Sequence, residues 1–81
     1  MVSPSYPREA IKEAKEGRAI VCFLVDASGA VRDPELLELS DPIFATPTLQ
    51  AIERSRYRPA TRSDVMRPGC RHYLYELRAS D

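Results

Sequence analysis

GRAIVCFLVDASGAV, residues Gly17 to Val31, is an apolar extended run, a tight turn and the start of a second extended run. Val, Ile and Phe favour a pleated strand, and Asp26-Ala27-Ser28-Gly29 supplies the left-handed position that closes a short hairpin. In the first arm Ala19, Val21, Phe23 and Val25 share one face, and Ile20, Cys22 and Leu24 share the other. Both faces are apolar, which predicts a central strand covered on each side. The second arm, Ala30 to Leu39, contains Pro34, so it is expected to bulge or lie at a sheet edge, with Val31, Leu36 and Leu39 facing the core.

Helical patterns flank the hairpin. Pro7 suits a first helical position, Glu9 the positive end of the dipole, and Gly17 a stop, which predicts a helix over about Pro7 to Glu16. Lys12 and Glu16 would pair one turn apart on it. After the turn Ser40-Asp41-Pro42, Thr46 reads as the cap of a second helix reaching Ser55, with Phe44, Ala45, Leu49 and Ile52 at helical spacing. Tyr57 opens a short extended piece, and Thr61 to Gly69 reads as a polar loop with a Pro-Gly pair near its end. The run His72 to Leu77 alternates, placing Tyr73, Tyr75 and Leu77 on one face. The expected fold is α+β in two layers, a three-stranded antiparallel sheet with two helices on one face, in the order helix-strand-strand-helix-strand. The last strand, set beside the first, becomes an edge and suits binding by strand addition.

At 81 residues the chain has room for one small domain, and its 12 basic and 12 acidic residues leave no net charge to favour nucleic acid. The charges are segregated, however. From Asp26 to Glu53 six acidic residues accompany Arg32 alone, and from Arg54 to Arg71 six arginines accompany Asp64 alone. That arginine group is either a solvated rim or a patch for an acidic partner segment, since guanidinium pairs carboxylate bidentately. His72, the only histidine, has no nucleophile or carboxylate grouped with it, so no catalytic residue is expected. No cofactor loop and no metal-ligand spacing is present. Tyr57, Tyr73 and Tyr75 are either an aromatic contact surface or, for Tyr73 and Tyr75, core under the second helix, with Tyr57 at the junction after it. Cys22 and Cys70 share the sheet face opposite the helices. They either bridge the central and edge strands or stay free as buried or interface thiols, and the difficulty for a bridge is register, because Cys22 lies mid-strand and Cys70 near the start of its own strand.

Taken in order, Tyr6-Pro7 before a short helix, Gly17, the alternation Ala19/Val21/Phe23/Val25, and Asp26, Gly29 and Val31 of the hairpin resemble the C-terminal domain of the TonB family of energy transducers. So do Ser40 before a Phe44-led helix and Arg56-Tyr57-Arg58-Pro59-Ala60. The resemblance implies a periplasmic domain at residues 6–79 after a leader or linker remnant at 1–5, tethered to the inner membrane. It implies capture of the N-terminal segment of an outer-membrane TonB-dependent transporter by strand addition, coupling proton-motive force to uptake. An inner-membrane proton-channel complex would be reached through more N-terminal parts. The implied partner-binding residues are Arg71, His72, Tyr73, Leu74, Tyr75, Glu76 and Leu77, with His72, Leu74 and Glu76 reading the partner. Apart from the resemblance, Arg56 and Arg58 flank Tyr57 and are placed to reach a partner's carboxylates. The chain departs from the family pattern at Ile20, Cys22 and Leu24, where polar side chains are usual. That departure supports the alternative, a divergent TonB-like domain acting as a homodimerisation or interaction module.

Overall fold

A computed structural model describes residues 3–59 and 66–77. The order is α1 (Arg8–Lys12), β1 (Gly17–Val25), β2 (Val31–Leu39), α2 (Ala45–Arg54) and β3 (Arg67–Tyr75), with a 3-10 turn at Pro42–Phe44 before α2. The sheet runs β2-β1-β3, antiparallel throughout, so β1 is central as its composition demands. The expected α+β fold, a three-stranded antiparallel sheet with two helices, is the one observed.

The hairpin closes on Asp26. Its Oδ1 accepts from the Ser28 amide at 2.8 Å, the Ser28 hydroxyl at 2.6 Å and the Ala30 amide at 3.1 Å. Arg32 Nε donates to the other carboxylate oxygen at 2.8 Å. The Ser28 hydroxyl first, then the Arg32 guanidinium, hold this carboxyl well below the usual carboxylate range. Gly29 has φ +86, in the region open to glycine, and packs against the Tyr57 carbonyl, so a side chain there would collide as well as strain.

Alternation on β1 buries Ala19, Val21, Phe23 and Val25 under the helices, together with Ala10, Phe44, Ala51, Ile52, Tyr73 and Tyr75. Fully burying a Phe or Ile contributes about 1.5–3 kcal/mol, so Phe44 and Ile52 are principal fasteners of the helix layer. The opposite face is not covered as its apolar residues predict. Ile20, Cys22 and Leu24 are only half-buried, because among the described residues no second layer covers them.

Other differences are local. α1 ends at Lys12, short of Glu16, because Ala14 turns left-handed at φ 53. The Lys15 amide then donates to Ala10 O at 2.8 Å and the Ala14 amide to Ile11 O at 3.1 Å, a two-bond helix stop with Ala where Gly is usual. Lys12 and Glu16 therefore form no pair; Glu16 accepts from the Leu77 amide at 2.7 Å instead. Thr46 is not a cap. Asp41 caps the 3-10 turn by accepting from the Ile43 amide at 3.0 Å, and α2 continues directly from Phe44. β3 starts five residues before the expected His72 and ends at Tyr75, which leaves Glu76 and Leu77 beyond it. The expected loop from Thr61 to Gly69 has residues 61–65 outside the described residues, and Arg67, Pro68 and Gly69 belong to β3.

Candidate functional site: the outer edge of β3

Both β2 and β3 are edge strands, but they are not equivalent. β2 carries Pro34, register shifts opposite Ile20/Val21 and Cys22/Leu24, and Asp33 at φ 50. Leu37, skipped by the first shift, is 61% exposed. Bulges and proline are devices that block edge pairing. β3 pairs with β1 from Gly17↔Tyr75 to Val25↔Arg67 without a shift, so its outer edge is straight and regular.

The disulfide fixes which β3 groups face outward. Cys22 and Cys70 stand opposite one another and are bonded, with Cα atoms 4.0 Å apart. Such a narrow pair exchanges no backbone hydrogen bonds, whereas its neighbours do. By alternation Gly69, Arg71, Tyr73 and Tyr75 bond to β1, and Cys70, His72 and Leu74 point N–H and C=O away from the sheet. Pro68 belongs to the outward set and has no N–H to offer, so the donor row starts at Cys70.

Side chains sort along the same alternation. Tyr73 and Tyr75 enter the core. The Tyr75 ring stacks on Phe44 at 4.2 Å between centroids and meets Tyr6 edge-on at 5.7 Å. Its hydroxyl is 2.6 Å from Thr48 Oγ1, a buried hydrogen bond. Burial pushes the Tyr75 phenol up from its ordinary value. These two residues can offer a partner only backbone. His72 and Leu74 are exposed on the uncovered sheet face, Leu74 at 60%. Beside the strand end, Glu76 is exposed and Leu77 half-buried.

Gly69, in sequence the end of a polar loop, has a packing role in the fold. A Cβ there would come within 3.1 Å of the Phe23 ring, so its absence lets Phe23 lie across the strand and meet Tyr57 at 5.1 Å. Tyr57 is thus the junction residue, its amide donating to Gly29 O at 2.9 Å. Arg67 Nη2 donates to Arg58 O at 2.6 Å, which brings Arg58 to the start of β3. Arg56 Nη1 donates to Ser55 O at 3.1 Å, and its backbone bridges Ala30. The Arg71 guanidinium lies 5.9 Å from the Tyr73 ring centroid. Among the described residues, Arg54, Arg56, Arg58, Arg67 and Arg71 make no salt bridge. Arg62, the sixth of the sequence group, lies outside them. No group of three or more His, Cys, Asp or Glu among the described residues could hold a metal ion, and no described helix is long and apolar enough to cross a membrane.

Fold and edge together define a two-layer α+β domain with one blocked and one regular open edge strand. The chain belongs to the family described as Gram-negative bacterial TonB protein C-terminal, which matches residues 2–73. It is similar to the solution structure of the Pseudomonas aeruginosa TonB C-terminal domain, with 27% identity and a TM-score of 0.83. That match covers 100% of this chain and 85% of the other. No curated protein matches. The family consists of non-enzymatic, periplasmic protein-interaction domains that engage outer-membrane transporters, in agreement with the resemblance seen in the residues.

Proposed function

We propose that this chain captures an extended segment from the N-terminus of an outer-membrane TonB-dependent transporter on the outer edge of β3. Held to the inner membrane through more N-terminal parts and a proton-channel complex there, the domain couples proton-motive force to uptake and catalyses no reaction. The reading takes residues 6–79 as the working domain. The observation that carries it is the contrast of edges: β3 is regular and β2 is broken by Pro34 and two register shifts. The outward groups of Cys70, His72 and Leu74 supply affinity. His72, Leu74 and Glu76 read the partner's side chains, while Arg56, Arg58 and Arg71 attract its carboxylates. A strand pair pulled along its length loads several hydrogen bonds together, so tension acts on the transporter before the pair parts.

Proline tests this without disturbing the interior ladder. The Leu74 amide faces outward, so Leu74→Pro removes a donor only a partner would use. In calorimetric titration with a synthetic transporter N-terminal peptide, Leu74→Pro should weaken capture about tenfold or more, the loss of one hydrogen bond plus local misfit. His72→Ala should cost less than about threefold. Equal losses, with both variants folded by circular dichroism, would refute strand addition.

One observation favours a second reading. Ile20 and Leu24 lie half-buried on a face that no described residue covers and that also carries exposed Leu74, a surface a second copy of the chain could cover. Sedimentation across a hundredfold concentration range separates the two, because edge capture requires a monomer at the dilute end.

A further inference from the structure

We propose that the Cys22–Cys70 disulfide is a redox-cleavable staple that fastens the docking edge to the central strand, and that a dithiol opens it. This rests on the strand-capture reading above. Its ground is the uneven anchoring of β3. The C-terminal half is held by Tyr73 and Tyr75, 7% and 2% exposed, with Tyr75 stacked on Phe44 and bonded to Thr48. Among the described residues the N-terminal half buries no side chain of its own and is held more lightly, by the Phe23 ring over Gly69 and by Arg67 on the Arg58 carbonyl. Arg67 and Pro68 are exposed, Gly69 has no side chain to bury, and Cys70 is exposed.

Beyond the backbone ladder and the Phe23 ring over Gly69, the disulfide is the covalent tie of this half to the sheet. It sits where core anchors are missing, and it joins the edge strand to the central one at directly opposed positions. Tension on a partner paired outside β3 passes into β3 first. A ladder yields from its less anchored end, one bonded pair after another, and a covalent link at Cys70 stops that peeling.

The staple is also open to chemistry, because Cys70 is exposed while Cys22 is half-buried. A thiolate of a dithiol attacks Cys70 Sγ, the S–S bond breaks, and Cys22 leaves as a thiolate that takes up a proton. The second thiolate of the reagent then attacks its own sulfur in the mixed disulfide and releases Cys70. Two electrons pass to the protein, and the dithiol becomes a cyclic disulfide.

Amide hydrogen exchange, read by NMR on the oxidised and the dithiothreitol-reduced domain, tests this. On reduction, the inward amides of Gly69 and Arg71 should exchange at least tenfold faster relative to those of Ile20 and Cys22, which point towards β2. Cys22→Val/Cys70→Val, which lacks the link without presenting thiols, should show the same selective loss. Lowered global stability speeds all four amides by a common factor; no excess at Gly69 and Arg71 over that factor overturns the staple, and so does wholesale unfolding of both the reduced protein and the double variant. Transporter-peptide capture by the oxidised domain is measured on the same samples. Selective acceleration without capture would sink only the strand-capture reading, and capture without selective acceleration only the staple.

Discussion

Breaking the Cys22–Cys70 link should cost this domain a large share of its stability. The residues are 48 apart in sequence. Closing a loop of that length in the unfolded chain removes entropy equivalent to about 4 kcal/mol at room temperature. A domain of this size is stable by about 4–12 kcal/mol in all, at the usual value per residue. For a chain this short each kcal/mol moves the midpoint about 4–8 °C, so full reduction should lower Tm by about 16–32 °C. The assay is thermal denaturation followed by far-UV circular dichroism, with and without a phosphine reductant, the thiol count confirmed by mass spectrometry. A fully reduced domain melting within about 5 °C of the oxidised one would refute the loop-closure reasoning.

Ala14→Gly should stabilise the domain by about 1 kcal/mol, because Ala14 sits left-handed at φ 53 where glycine pays no side-chain penalty; chemical denaturation checks it, and destabilisation would contradict the helix-stop geometry. Thr48→Val leaves the buried Tyr75 hydroxyl without its 2.6 Å partner and should destabilise by about 1–3 kcal/mol, a loss that adding Tyr75→Phe should partly restore. Asp26 is held below its unfolded value of about 3.9, so its contribution is present above about pH 4 and is lost as pH falls further. The melting temperature of Asp26→Asn should therefore fall less steeply than that of the parent chain below about pH 4, and identical slopes would remove Asp26 as the cause.

The hairpin was readable because its signals are local. Alternating apolar residues set the β1 face, and Asp26 and Gly29 set the turn with bonds spanning four residues at most. The start of β3 was not, since Pro68-Gly69 carries the letters of a turn. Both residues act through tertiary placement: the missing Pro68 N–H faces outward, and Gly69 makes room for the Phe23 ring. That misplaced start also created the apparent register obstacle between Cys22 and Cys70, which disappears once β3 begins at Arg67. The end of α1 was hidden for a related reason, because Ala14 has no propensity for the left-handed turn it adopts. The edge itself was half legible. Alternation after Arg71 announced a strand, but which of its amides point outward depends on the pairing with β1, and that follows only from the Cys22–Cys70 spacing.

Hydrogen exchange of the oxidised domain with a transporter N-terminal peptide probes the docking edge at the level of single amides. His72 and Leu74, whose N–H groups face away from β1, should become at least tenfold more protected on adding the peptide, with β2 unchanged. Protection appearing along β2, or none at His72 and Leu74 under saturating peptide, would contradict capture on β3.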